Sequence, residues 1–82
     1  MTRKPHTGLS GAAQEAYLAG MHHGRMRGWL QLARASSADA EVRALYVDFA
    51  RASHRAYVMA LRRARRLADA ERRAYLAMAA PL

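Results

Sequence analysis

The chain has 82 residues, with fourteen lysines and arginines against six carboxylates, a formal charge of +8 and a pI near 11.3. A chain of this length forms one small domain that buries only about 60% of its unfolded surface, too little for a deep enzyme cleft. It has no cysteine, which excludes a disulfide framework, a thiolate metal site and a thiol nucleophile.

In chain order, residues 1–9 hold Arg3, Lys4, Pro5 and His6 with no apolar h-region behind them. They read as a flexible basic tail and not as a secretory signal. Arginines interrupt every apolar stretch before it reaches the ~18 residues a membrane span needs, so a cytoplasmic protein without a transmembrane segment is expected. Residues 10–82 are then one helical domain. Both prolines, Pro5 and Pro81, sit at the ends, and all five glycines precede residue 29. The remainder is dominated by alanine, arginine, leucine and methionine, all strong helix formers.

A first helix is predicted from Ser10 to Ala35. The segment Ala35-Ser36-Ser37-Ala38-Asp39-Ala40-Glu41 then breaks the pattern: a serine there can accept orphan amides, and Asp39 and Glu41 suit a positive first turn. A second helix is predicted from near Ala38 to at least Arg66. Residues 69–80 are either a short third helix or a continuation. Val42, Leu45, Tyr46, Phe49, Ala56, Ala60, Leu67, Ala74, Tyr75 and Met78 fall within one arc at 100° per residue, which favours continuation. The two matching stretches Ala38–Ala44 and Ala68–Ala74 reflect similar helix-start chemistry; seven residues do not make a repeat.

Two ridges of small residues suggest how these helices pack. Ala12, Ala16, Gly20, Gly24 and Gly28 recur every four residues in the first helix, and Ala52, Ala56, Ala60, Ala64 and Ala68 do so in the second. Ridges stripped of bulk let helix backbones approach closely. Glycine inside a helix costs about 1 kcal/mol relative to alanine, so the glycine ridge needs a reason. A tight turn at Ser36-Ser37 would set Gly28 against Leu45 and Tyr46, Gly24 against Phe49, Met21 against Ala52, and Tyr17 against Ala56 and Tyr57. The fold class expected is all-α: an antiparallel helical hairpin of two long helices with a short third helix or helix extension. In this register everything beyond residue 64 overhangs, and a two-helix unit of this size is marginal alone. Two chains are therefore expected to dimerise into a bundle.

The arginines carry the strongest functional signal. Eight lie between Arg51 and Arg73, opposed only by Asp69 and Glu71. Arg51, Arg55, Arg62 and Arg66 share one face of the second helix, roughly opposite the apolar arc, with His54 and Arg65 at its border and Arg63 in the same run. Codon bias in a GC-rich genome explains arginine over lysine but not the net charge, and an ordinary solvated face mixes both signs. Such a stripe is the electrostatic footprint of a polyanion binder. No zinc-finger, RNA-recognition or basic-zipper pattern accompanies it, so contacts to a phosphate backbone with little base readout are expected.

The other candidate residues point away from catalysis. His22 and His23 are adjacent and diverge by about 100° on a helix, while His54 comes near His22 only off the packed arc; no metal site and no cofactor is expected. Asp39 and Arg43, and likewise Asp69 and Arg73, have i,i+4 spacing, and Asp48 reaches Arg51 at i+3; these read as helix ion pairs. With no phosphate loop and no nucleophile elbow, the chain is expected not to be an enzyme. Tyr17, Tyr46 and Tyr57 fall on or beside the packed arc. Trp29 either closes the turn end or serves as an exposed anchor. Leu67, Tyr75, Leu76 and Met78 make an apolar overhang suited to a protein interface.

The expectation is a small regulatory protein that binds stoichiometrically, its arginine face meeting nucleic acid, a nucleoprotein complex or another acidic surface. The alternative is an inhibitor or adaptor that docks through the overhang and Trp29, in the manner of small mobile-element or phage proteins that block host complexes. A peripheral membrane binder is a third possibility, since the apolar C-terminal segment follows a basic run.

Overall fold

The computed structural model describes residues 10–36 and 38–79. The expected tail, residues 1–9, lies outside them, as do Ser37 and the last three residues. Two helices make up the described chain, α1 (Gly11–Ala35) and α2 (Ala40–Ala79), with no strand among the described residues.

The boundaries follow from local chemistry. Ser10 has extended backbone, and its side chain accepts from the Ala13 N–H at 3.1 Å while its carbonyl takes the Gln14 N–H at 2.9 Å. It therefore satisfies orphan amides of α1. At the other end the Ser36 N–H donates to the carbonyls of Leu32 and Ala33, and Arg34 lies in the last, electronegative turn. The second helix starts two residues later than expected. Asp39 caps it, not a serine: its Oδ1 accepts from the Glu41 and Val42 N–H groups, each at 3.1 Å. Beyond that point no breaker interrupts α2, and residues 69–79 continue it without a third helix. Forty residues at 1.5 Å each make a rod of about 60 Å, and the molecule measures 68 × 26 × 15 Å.

The two helices pack in a hairpin-like arrangement. Trp29, late in α1, meets Tyr46 and Phe49, early in α2, at ring-centroid distances of 5.8 and 4.8 Å. His23 meets Tyr57 at 5.0 Å, Glu15 meets Arg63, and the Ala12 N–H reaches Glu71 Oε2 at 3.1 Å. This register departs from the expected one: the start of α1 lies level with Glu71, two turns beyond Arg63. The connection through Ser36–Asp39 is longer than a turn at Ser36-Ser37, and alanines every fourth residue let α2 slide by whole turns without a clash. The free overhang thus begins after Glu71 and not at residue 64.

The core corrects the ridge assignment as well. The buried apolar residues are all alanines: Ala19 and Ala33 of α1, and Ala50, Ala60 and Ala64 of α2. Half-buried Leu18, Met26, Trp29, Leu30, Val47, Tyr57 and Leu61 flank them. On α2 the expected ridge survives at Ala56, Ala60 and Ala64, whereas Ala52 and Ala68 are exposed. On α1 it fails. Gly20, Gly24 and Gly28 are exposed, and a Cβ on any of them would meet nothing within 4 Å. Tyr17, expected on the packed arc, is 51% exposed. The reason is that α1 is apolar on both faces. The face bearing Leu18, Met26 and Leu30 excludes more water against α2 than one bearing three glycines.

No large side chain is fully buried, so the aromatic cluster at the loop end matters disproportionately. Trp29→Ala removes an indole packed on both Tyr46 and Phe49. Because the ring is only half-buried, the cost is expected at or below the lower limit for truncating a core aromatic, about 2–3 kcal/mol. Thermal melting followed by circular dichroism measures it. An unchanged melting temperature contradicts the assignment of Trp29 as the clamp of the loop end.

Candidate functional site

The arginine face is built by helical spacing alone. Arg51, Arg55, Arg62 and Arg66 are exposed on α2, and their angular positions put them on the side turned away from the buried Ala60 and Ala64. From Arg51 to Arg66 the stripe runs about 22 Å at 1.5 Å per residue. Asp48 stands at one end and Asp69 at the other. Arg51 approaches Asp48 at 3.7 Å, with both side chains about 70% exposed; such a pair contributes about 0–1 kcal/mol and yields readily to a competing anion. Arg55, Arg62 and Arg66 make no ion pair among the described residues. Four guanidiniums thus face solvent in a row with no carboxylate between them.

Arg63 and Arg65, between the last two members of the stripe, are placed differently. Arg63 turns inward and donates from Nε to Glu15 Oε1 at 3.0 Å, with the Glu15 side chain only 23% exposed. It ties α2 to α1 and is not part of the open stripe. Arg65 is exposed at the border of the stripe, about 40° around the helix from Arg51. Two residues that sequence reasoning passed over explain this order: Glu15 is the sole acid of α1 and selects Arg63, and Glu71 accepts from the Ala12 N–H. Glu15 carried a legible signal, as an isolated carboxylate in a helix otherwise apolar or basic.

The expected protein-interface residues fall in three places. Trp29 packs inward, closing the turn end. Leu67 is at the edge of the helix pair, near Gly11. Tyr75, Leu76 and Met78 project from the unpaired end of α2, where Met78 is 83% exposed. The histidines gather around a ring: His23 and His54 flank Tyr57 at centroid distances of 5.0 and 6.0 Å. Among the described residues no three His, Cys, Asp or Glu side chains come together in a way that could hold a metal ion. Of the expected i,i+4 pairs, Asp69 and Arg73 do not form an ion pair.

Two open depressions lie along α1. One, of about 310 Å³, is lined by Arg25, Gly28, Trp29 and Leu32; the other, of about 170 Å³, by Arg27, Leu30, Gln31 and Arg34. Neither lining includes a carboxylate, a histidine or a hydroxyl. No described helix is long and apolar enough to cross a membrane. Comparison with known proteins finds no matching family model, no matching curated protein and no matching solved structure.

Proposed function

We propose that this chain is a small, non-enzymatic regulatory binder, a helical hairpin that pairs into a homodimer and sets the arginine face of α2 on the phosphate backbone of nucleic acid. One observation carries the reading: Arg51, Arg55, Arg62 and Arg66 stand exposed in a row, offset only by Asp48 and Asp69 at its ends. Guanidinium forks match phosphate oxygens in geometry, and each phosphate neutralised releases condensed counterions. A smooth helix face reaches phosphates more readily than base edges, so binding is indifferent to sequence.

Four such contacts imply a slope of log K against log salt of about −3.6 on duplex DNA, an affinity loss of roughly 100-fold between 50 and 200 mM salt. Fluorescence anisotropy of a labelled duplex across that range tests it, with a second duplex of unrelated sequence as comparison. A flat salt response overturns the reading.

The second reading is supported by the overhang. Tyr75, Leu76 and Met78 expose apolar surface beyond the end of α1, as an inhibitor or adaptor that docks on another protein through a helix face would. In that case Met78→Asp abolishes partner binding and Arg55→Ala leaves it unchanged.

A further inference from the structure

The outward face of α1 has no function in the fold described above, and its composition is unusual for a surface. Tyr17, Met21 and Leu32 expose 51%, 37% and 45% of their surface there. Between them stand Gly24 and Gly28, exposed and with open space where a Cβ would be. Glycine is less favourable than alanine in a helix interior, and nothing inside the chain requires it at these positions. A surface helix normally has a polar side. Here the outer face is apolar, bordered by Arg25 on one side and by Gln31, with Arg27 and Arg34 beyond it, on the other.

The spacing of that face indicates what covers it. Tyr17, Met21 and Gly24 are followed by Arg25, Gly28 and Leu32, so the gaps of four and three residues read the same in either direction about the Gly24–Arg25 bond. Laid antiparallel on itself, the helix sets Met21 opposite Gly28 and Tyr17 opposite Leu32. The depression at Gly28 is bounded by Arg25, Gly28, Trp29 and Leu32, the i, i+3, i+4, i+7 quartet that forms a hole for a side chain of a facing helix. Its volume of about 310 Å³ leaves room for a methionine.

We infer that two copies of the chain pair across the outer faces of α1, antiparallel about a two-fold axis near Gly24, each Met21 seated in the other's Gly28 hole. A face complementary to itself in this way defines an isologous, closed dimer. The helices then stack in four layers, with α2 outermost on both sides and the two arginine stripes facing opposite directions. A dimer so built bridges two segments of duplex. The bridging rests on the reading of α2 given above; the pairing does not. Both Arg25 side chains come to one edge near the axis, so added salt screens their repulsion and leaves the dimer intact while it weakens duplex binding.

Sedimentation equilibrium of the full chain without nucleic acid is expected to give twice the 9.1 kDa chain mass. Met21→Asp is expected to give the single-chain mass with its helical circular dichroism unchanged. Because the chain has no cysteine, a second test depends less on stability. Met21→Cys combined with Gly28→Cys is expected to give a covalent dimer on oxidation, and Met21→Cys alone is not, since residue 21 comes within disulfide reach of residue 28 of the opposite chain and not of its own counterpart. A monomeric wild-type chain, a dimer that survives Met21→Asp, or cross-linking by Met21→Cys alone overturns the pairing. For bridging, immobilised duplex is expected to capture a second, labelled duplex with the wild-type chain but not with Met21→Asp, which still binds one duplex. A dimer that binds no duplex overturns the reading of α2 and leaves the pairing standing. A dimer that binds one duplex but captures no second overturns the bridging.

Discussion

Reversing two charges on the outer face of α2, Arg55→Glu with Arg62→Glu, is expected to weaken duplex binding by about 100-fold or more at 100 mM salt and to flatten the salt dependence nearly to zero. The two substitutions bring the sum of the four stripe charges to nothing and place carboxylates against phosphates. Neither side chain packs against α1, so the melting temperature should stay close to wild type, within the roughly ±0.5 kcal/mol usual for exposed positions. Arg63→Ala is the informative contrast. Only one residue from Arg62 in sequence, it leaves duplex affinity and salt slope nearly unchanged but lowers stability, because it strands the Glu15 carboxylate it bonds at 3.0 Å. Anisotropy and thermal melts on the same three proteins separate the two roles. If the double reversal binds within threefold of wild type, the stripe is an ordinary solvated face.

The second large effect is expected in the core. Ala60 is 0% exposed and lies where the two helix backbones approach. Ala60→Leu inserts three carbons into a contact that has no slack, and overpacking of this kind costs about 1–3 kcal/mol. For a domain of this size each kcal/mol lowers the melting temperature by about 4–8 °C, so a fall of roughly 5–20 °C is expected. Ala52→Leu, just over two turns away and exposed, should melt like the parent. Equal melting of the two variants contradicts the alanine core. A core of larger side chains would relax around an added methyl group; one made of methyl groups can respond only by separating the helices.

What was legible in the sequence is the local chemistry. Ser10 marks the start of α1, the stretch Ala35–Glu41 marks the break before α2 although Asp39 and not a serine caps it, and the absence of any breaker after Gly28 carries α2 through to Ala79. The face shared by Arg51, Arg55, Arg62 and Arg66 follows from angular spacing and needs no tertiary information. Which side of α1 turns inward was not legible. Leu18, Met26 and Leu30 on one side and Tyr17, Met21 and Leu32 on the other give a helix with little amphipathic direction, so packing against α2 had to decide. Nor was the register, because alanine repeated every fourth residue on α2 offers nearly equivalent seats one turn apart. Glu15 and Glu71 break that degeneracy through single polar contacts, to Arg63 and to the Ala12 amide, which no hydrophobic pattern encodes.

The contact between Glu71 and the Ala12 amide also bears on how the chain is made. Fifty-nine residues separate its partners, so all of α1 and most of α2 precede the carboxylate that holds the first turn of α1. Until then the start of α1 is held by its local cap, Ser10. Closure must begin at the loop, where Trp29, Tyr46 and Phe49 are near in sequence and the entropic cost of meeting is smallest. It then runs outward one alanine level at a time. The last step of this zipper waits for Glu71, and chains truncated before that residue should have an α1 start that is loose and open to proteolysis.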